Sequence, residues 1–139
     1  MIIMGVDFGD ARTGLAVCDK GEMLASPAGV ISEKDFTRCQ EKVAAAAKEH
    51  RTELLVVGYP KNMNGTVGER AELCQKFGDG LKELTGLPVV MWTVDTLDWK
   101  HRDGQKIFDS VRSVSNLDGK IILMHSIYES TADATDMII

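Results

Sequence analysis

The chain has 139 residues, a length that fits one domain of ordinary size spanning 1–139. Hydrophobic residues make up 44% and charged residues 27%, close to the globular average, which excludes a disordered, collagen-like or coiled-coil chain. The formal net charge of −5 leaves no strongly basic domain that would bind nucleic acid by charge alone. Any phosphate chemistry would therefore need a local site, with a metal ion to offset the carboxylates.

The cysteines and the apolar segments indicate where the chain works. Its three cysteines, Cys18, Cys39 and Cys74, are odd in number and include no close pair, so neither a disulfide framework nor a cysteine zinc site is expected. The longest apolar runs, such as Ile121–Met124, are too short to cross a bilayer. The first residues lack a basic stretch followed by a long apolar one. We therefore expect a cytoplasmic chain with no membrane partner.

The first part of the chain is predicted to form three strands joined by turns. Ile2–Phe8 is apolar and reads as a buried strand, Gly14–Asp19 as the second strand, and Glu22–Ile31 as a third that is irregular around Pro27. The residues between these segments are typical of tight turns. The pattern therefore predicts an antiparallel three-stranded meander.

Helices and strands alternate after the meander. Ser32 followed by Asp35 predicts a helix start of the capping-box type, and apolar residues at helical spacing continue to about His50. Glu53–Tyr59 is predicted to be a fully buried strand.

A polar loop, Pro60–Gly68, precedes the next helix. Thr66 and Glu69 form a second capping box, and the helical pattern runs to about Leu84. Pro88–Trp92 is then predicted to be another buried strand.

The last third continues the alternation. Asp103–Ser115 has apolar residues at helical spacing, Lys120–His125 is a short apolar strand, and Ser130 with Asp133 is predicted to cap a final helix. Antiparallel strands followed by alternating helices and strands imply an α/β architecture with a mixed sheet. This order of elements fits a ribonuclease H-like sheet.

Three segments of the first 92 residues resemble one known family. Gly5–Asp19 reads GVDFGDARTGLAVCD and resembles the opening of the YqgF/RuvX family of Holliday junction resolvases and pre-16S rRNA nucleases. Val57–Gly68, VGYPKNMNGTVG, closely resembles the second signature of that family, and Leu87–Trp92 resembles the strand after it. The resemblance implies a ribonuclease H-like fold and metal-dependent phosphodiester cleavage of structured RNA or branched DNA.

Asp7 is the residue of the first motif whose chemistry fits a metal site. A carboxylate at the end of a central strand, beside a glycine-rich turn, can hold Mg²⁺ or Mn²⁺ where a phosphate backbone approaches closely. Two such metal ions about 4 Å apart would stabilise the attacking and leaving oxygens of an in-line displacement. We therefore predict that Asp7 is a catalytic metal ligand. The alternative is that Asp7 only turns the hairpin, a role for which Asp19 is a ready example.

Four polar residues in loops beside the same strand are candidates for contacts to phosphates or bases. They are Arg12, Lys61, Asn62 and Asn64. The alternative is that Asn64 and Gly65 only make a tight turn and that Lys61 is a solvated charge. The short pattern Asp-x-Gly-x-x-x-x-Gly also resembles a phosphate loop of sugar kinases and actin-like ATPases, but the Pro60–Gly68 loop favours the YqgF/RuvX family.

The resemblance breaks after the strand that ends in tryptophan. The family continues with Asp-Glu-Arg, whereas this chain reads Thr-Val-Asp, so the expected glutamate position holds Val94, which cannot bind a metal. Asp95 is one residue away, which on a strand means the opposite face. The final helix of the family carries a further aspartate, for which the nearest candidate is Asp133; its alternative role is N3 of a helix capped by Ser130. Asp95 and Asp133 are our candidates for additional catalytic carboxylates.

Residues 89–139 resemble a second family, and the join lies near Pro88–Trp92, a strand of proline, apolar residues and tryptophan that both resemblances share. Trp92–Lys100, Gly119–His125 and Ile127–Ala134 are similar to the C-terminal part of NodB-type polysaccharide deacetylases, in which the histidine matched by His125 acts as a general acid. The zinc motifs of that family are missing here, and a deacetylase needs zinc to activate water.

The chain therefore reads as a chimera, YqgF-like over 1–92 and deacetylase-like over 93–139, with the second part completing the α/β layer. The favoured function is a metal-dependent nuclease, impaired by the loss of the second carboxylate. The alternative is a catalytically inactive nucleic-acid-binding or scaffold domain, to which Val94 points. A carbohydrate esterase remnant centred on His125 is disfavoured by the missing zinc ligands.

Overall fold

The structure is a computed structural model that describes residues 1–59, 67–92, 94–96, 98–114, 121–124 and 128–139. Its contacts divide the chain into two compact units, Met1–Met91 and Trp92–Ile139, and each is described by itself. The boundary falls at the end of the segment that both resemblances share, while the assignment of 1–139 to one domain stays a prediction. Within the described residues, every helix is too short or too polar to reach across a lipid bilayer.

The first unit is built on a five-stranded mixed sheet in the order β3-β2-β1-β4-β5. The strands are β1 (Ile3–Asp7), β2 (Arg12–Cys18), β3 (Ala25–Ser32), β4 (Leu54–Gly58) and β5 (Val89–Trp92). Strand β1 pairs antiparallel with β2 and parallel with β4, and β2 pairs antiparallel with β3. The predicted meander and mixed sheet are therefore confirmed, and β1 is the central strand.

Helix α1 (Phe36–Glu49) begins later than its capping-box pattern predicts. The N-cap is Asp35, whose carboxylate accepts a hydrogen bond from the Arg38 N–H at 2.8 Å. Ser32 instead ends β3, where it pairs with Arg12, so the prediction that Ser32 caps the helix is wrong. Sheet pairing overrides the local pattern, because the backbone of Ser32 is already committed to the strand.

Helix α2 (Glu69–Thr85) begins after Gly68, which offers no side-chain cap. Glu69 is the first residue of the helix and not N3, so the predicted capping box is wrong; its other member, Thr66, lies outside the described residues. The helix ends as predicted, since Gly86 has the left-handed conformation (φ 69°) that glycine adopts readily at a helix C-terminus.

The core of the first unit lies between the sheet and these two helices. Met4 and Val6 of β1 are buried in it, while Asp7 is exposed, as strand alternation requires of residues on opposite faces. Three aromatic rings meet beside the end of β1. Phe8 stacks on Phe77 of α2 with ring centroids 4.2 Å apart, and the Phe36 ring meets Phe8 edge-on at 5.6 Å.

In the residues described for it, the second unit has a two-stranded parallel sheet and three helices. The strands are β6 (Val94–Asp95) and β7 (Ile122–Leu123), and the helices are α3 (Asp98–His101), α4 (Gly104–Arg112) and α5 (Glu129–Ile138). Helix α4 and strand β7 lie within their predicted segments, whereas β6 and α3 have no counterpart in the prediction.

The start of α5 corrects another capping prediction. Tyr128 is the N-cap, without a side-chain cap bond, and Ser130 lies inside the helix. Asp133 is therefore not N3 of a helix capped by Ser130; it is the fifth residue of α5 and is exposed. The helix starts earlier because Tyr128 already has extended backbone and its carbonyl accepts the first bonds of the helix.

Removal of the Phe77 ring tests whether the aromatic cluster stabilises the first unit. Phe77 is fully buried, so Phe77→Ala is expected to lower the free energy of unfolding by about 3–5 kcal/mol. Leu84→Ala on the same helix is the control, because Leu84 is 52% exposed and its truncation is expected to cost less than about 0.5 kcal/mol. Urea unfolding, followed by far-UV circular dichroism, measures the free energy of unfolding of both variants. Equal losses of stability would contradict the conclusion that the aromatic cluster stabilises the first unit.

Candidate functional site

Asp7 is the last residue of the central strand, and its carboxylate lies on the face of the sheet opposite the core. It is exposed and pairs across the ladder with Gly14 of β2. A Cβ added at Gly14 would make only an ordinary van der Waals contact, 3.8 Å from the Asp7 Cβ. The glycine therefore leaves open space beside Asp7 on this face.

The turn that follows Asp7 is held by groups other than its carboxylate. The Gly9 N–H donates to Thr13 Oγ1 at 3.4 Å, and the buried Thr13 hydroxyl lies 3.2 Å from Cys39 Sγ. Gly9 also approaches the backbone so closely that an added Cβ would overlap the Arg12 carbonyl oxygen. The turn thus has its own glycine and its own hydrogen bond.

A comparison of Asp7 with Asp19 separates the two roles open to a strand-terminal aspartate. Asp19 Oδ1 accepts hydrogen bonds from the Met23 and Leu24 N–H groups at 2.8 and 3.3 Å, which is the turn-forming role. In the part of the chain that the structure describes, no donor or cation contacts the Asp7 carboxylate. The Asp7 carboxylate thus makes none of the turn hydrogen bonds of the kind that Asp19 makes, within the described residues.

Arg70, the second residue of α2, binds the segment directly after Asp7. Its Nη2 donates to the Phe8 carbonyl oxygen at 2.6 Å, and its Nη1 donates to Asp10 Oδ1 at 2.6 Å. Its Cζ also lies 5.0 Å from the centroid of the Phe8 ring, within the range of a cation–π contact. Asp10, the nearest carboxylate in sequence, is thus engaged by a cation, whereas Asp7 is not.

Asp7 and Asp10, which lie at the edge of the sheet where β1 ends, also act electrostatically on the buried thiol of Cys74. Burial raises the pKa of Cys74 above its ordinary value of 9.0, Arg70 acts against that rise, and Asp7 and Asp10 add to it. Cys74 lies one helical turn after Arg70, so the inward face of α2 is within electrostatic range of the edge that carries Asp7.

The other candidates from the sequence fall into three groups. Arg12 is exposed at the start of β2, and no acidic group or acceptor among the described residues contacts its guanidinium. The remaining predicted nucleic-acid contacts, together with the deacetylase-type histidine, lie outside the described residues: Lys61, Asn62, Asn64 and His125. Asp95 lies in β6, paired with Leu123, and Asp133 in α5, so both belong to the second unit and not to the unit that holds Asp7.

The structure brings two residues that sequence reasoning missed, Asp10 and Arg70, into contact beside the end of β1. A helical signal for Arg70 was present, because Arg70, Cys74 and Phe77 follow the i, i+4, i+7 spacing of one helix face. Two members of that face are buried, which would have placed Arg70 on the inward side of α2.

The donor set at this edge fits an anchor for a divalent cation and not a complete cage. Exposed carboxylate oxygens are ligands that Mg²⁺ and Mn²⁺ prefer, and Asp7 supplies them without a competing partner. However, no group of three histidine, cysteine, aspartate or glutamate side chains within the described ranges is placed to hold a metal ion.

Comparisons with known proteins identify the family. The family model described as RuvX, Holliday junction resolvase, matches residues 1–95. A relative from Desulfitobacterium hafniense, provisionally named a pre-16S rRNA nuclease, is 41% identical over 92 residues, which cover 66% of this chain and 63% of the relative. The chain therefore belongs to the RuvX family, and the resemblance of its first part to YqgF/RuvX proteins is confirmed. It spans somewhat less than two thirds of that relative.

Solved structures confirm the fold. Thermus thermophilus RuvC superposes with a TM-score of 0.54 at 16% identity, covering 96% of this chain and 90% of RuvC. RuvC in complex with a Holliday junction substrate gives 0.52 at 16% identity over 99% and 96% of the two chains. The predicted ribonuclease H-like fold is thus confirmed.

A third structural likeness concerns the second resemblance. Peptidoglycan deacetylase PdaC from Bacillus subtilis is 24% identical, covers 75% of this chain and 46% of PdaC, and has a TM-score of 0.46. A likeness at this level carries no structural argument, so the deacetylase resemblance of residues 93–139 and the chimeric origin of the chain stay predictions.

Gly9 provides a test of the turn beside Asp7. We expect Gly9→Ala to lower the free energy of unfolding by about 1–3 kcal/mol, because its Cβ overlaps a backbone oxygen that can move only if the turn opens. Gly21→Ala is the matched turn control, since its Cβ would make an ordinary contact, 3.6 Å from Met23 Cγ. Thermal and urea unfolding compare the two, and a Gly9→Ala protein as stable as Gly21→Ala would contradict the close approach.

The raised pKa of the Cys74 thiol predicts a loss of stability at alkaline pH. The folded protein favours the neutral thiol, so the stability from this group is fully present below about pH 9.0 and is lost as the pH rises through the higher folded value. The free energy of unfolding of the wild type is therefore expected to fall more steeply above pH 9 than that of Cys74→Ala. Cys18→Ala is the control at the half-exposed cysteine, and parallel curves for wild type and Cys74→Ala would contradict the prediction.

Proposed function

We propose that the chain is a metal-dependent nuclease of the YqgF/RuvX type that cleaves phosphodiester bonds in structured nucleic acid. The observation that carries the proposal is the exposed carboxylate of Asp7 at the end of the central strand, which no donor or cation engages among the described residues. A strand-terminal aspartate without a structural partner is a candidate for ligand binding. Membership of the RuvX family favours a divalent cation as that ligand.

In this proposal Asp7 holds Mg²⁺ or Mn²⁺. When bound, the ion would withdraw negative charge from a phosphodiester and lower the pKa of a coordinated water. A local cation is needed because a chain with a net charge of −5 repels a polynucleotide at long range. Asp95 and Asp133 stay proposals for further catalytic carboxylates, carried by the second unit.

The surface around Asp7 suits the approach of a polynucleotide backbone. Gly5 and Gly14 lie on the same face as Asp7, and a Cβ at Gly5 would meet nothing closer than 4.0 Å. The absence of side chains at glycine permits close approach of a ligand. Arg12, exposed and two ladder positions from Gly14, supplies a guanidinium for a phosphate, and Lys61, Asn62 and Asn64 are proposed to extend this contact.

The names of relatives suggest two substrates. The Desulfitobacterium relative is named for pre-16S rRNA, and one solved structure holds RuvC in complex with a Holliday junction substrate. We propose that this chain acts on one of these two structured nucleic acids in the cytoplasm.

The second candidate function is a nucleic-acid-binding or scaffold domain without catalysis. Val94 at the position where the family has glutamate favours it, as does the lack of a three-ligand group among the described side chains. Two metal ions need several anionic ligands to overcome their mutual repulsion, so a single carboxylate favours binding over turnover.

The test combines Mn²⁺ binding with cleavage. Mn²⁺ affinity is measured by electron paramagnetic resonance, and cleavage is followed on a precursor-16S rRNA fragment and on a four-way DNA junction. Asp7→Asn is expected to weaken Mn²⁺ binding and cleavage by at least about 100-fold, because the amide lacks the anionic oxygen. Asp19→Asn is the control, since Asn Oδ1 can still accept the two turn hydrogen bonds.

Each outcome separates the candidates. Metal-dependent cleavage that is lost in Asp7→Asn and kept in Asp19→Asn supports the nuclease. Nucleic-acid binding without turnover in the wild type favours the scaffold function. Cleavage unchanged by Asp7→Asn would refute the role of Asp7.

A further inference from the structure

We propose that Arg70 is a positioning residue that fixes the end of β1 so that the Asp7 carboxylate is presented to a divalent cation. The inference rests on the proposed function in one respect, namely that Asp7 binds a cation. Arg70 itself acts through the main chain that follows Asp7, and its guanidinium is engaged by Phe8 and Asp10.

The three contacts of Arg70 converge on two residues of one short segment. One nitrogen binds the Phe8 carbonyl, the other binds the Asp10 carboxylate, and the guanidinium plane lies over the Phe8 ring. A guanidinium has donors in a fixed planar fork, so two simultaneous bonds set the distance and the orientation between the groups they join. The Phe8 carbonyl and the Asp10 carboxylate are thereby held in a fixed arrangement relative to each other.

Helix α2 holds the same segment at a second point. Phe77, two turns after Arg70, stacks on the Phe8 ring at 4.2 Å. The ring of Phe8 is thus fixed by Phe77 and its carbonyl by Arg70, both from one helix. Asp7 is bonded directly to Phe8 and faces the other side of the strand. Holding the Phe8 ring and the carbonyl of the Phe8–Gly9 peptide therefore restrains the backbone from which the Asp7 side chain projects.

The energetics favour a positioning role over a purely stabilising one. The side chains of Arg70 and Asp10 are 38% and 83% exposed, and an exposed ion pair adds little to the free energy of unfolding. The ion pair has a larger effect on the local charge. It pairs the Asp10 carboxylate with a cation, whereas the Asp7 carboxylate has no protein partner among the described residues. A cation that reaches this edge therefore meets an unengaged charge at Asp7.

The experiment uses the full chain and two readouts. The variants are Arg70→Ala, Arg70→Lys and, as control, Lys82→Ala, an exposed cation on the same helix. Amide hydrogen exchange of residues 8–13, measured without metal, reports the order of the segment. Mn²⁺ affinity, measured by electron paramagnetic resonance, reports the presentation of Asp7. Thermal unfolding verifies that each variant is folded at the working temperature.

We expect exchange in residues 8–13 to become about tenfold faster in Arg70→Ala, with a similar loss of Mn²⁺ affinity, because the bonds at the Phe8 carbonyl and Asp10 are lost together. Arg70→Lys is expected to fall between Arg70→Ala and the wild type, since one ammonium cannot reproduce the fork. Lys82→Ala is expected to match the wild type in both readouts.

The outcomes distinguish this inference from the proposed function. Unchanged exchange in Arg70→Ala overturns the positioning role whatever the metal does. Faster exchange with unchanged Mn²⁺ affinity also overturns it, because Asp7 would then not depend on the segment. If the wild type itself fails to bind Mn²⁺, the proposed function has failed, and the exchange data alone decide whether Arg70 positions the segment.

Discussion

The fixation of Phe8 is the interaction on which the candidate site depends. Its ring lies against Phe36 and Phe77 in the core, and its carbonyl is bound by Arg70. Asp7, the residue before it, faces the other side of the sheet. Because adjacent residues of a strand alternate between faces, the close packing around one ring determines the position of a carboxylate in solvent. The candidate site thus combines a base that is packed into the core with a carboxylate that is exposed.

Charge explains why this arrangement suits a cation. The chain is acidic overall, and Asp10, in the turn after β1, follows Asp7 closely in sequence. Arg70 compensates Asp10, and Asp19 is used by its own turn. Asp7 differs from both, because no donor or cation among the described residues contacts its carboxylate. A divalent cation at Asp7 would offset the negative charge at this position and would attract the anionic phosphate backbone of a nucleic acid to an acidic protein.

Much of the fold could be predicted because the signals were local. The meander followed from apolar segments separated by turn residues, and the glycine after α2 ended that helix as expected. The capping predictions at Ser32 and Ser130 failed because pairing in β3 and the earlier start of α5 overrode a short pattern. The sequence motif made Asp7 a candidate, and its exposed position at the end of β1 agrees with that prediction without testing it. The contacts of Arg70 could not be predicted in the same way, because they join residues 60 and 62 positions apart in sequence.

The most direct test of the account is the anomalous scattering of manganese in crystals of the full chain grown with saturating Mn²⁺. The account predicts an anomalous peak within bonding distance, roughly 2–2.5 Å, of an Asp7 carboxylate oxygen, with the Arg70 bonds to Phe8 and Asp10 retained. An Asp7 carboxylate free of metal in such crystals, with manganese bound elsewhere or nowhere, would contradict the claim that this residue anchors the ion.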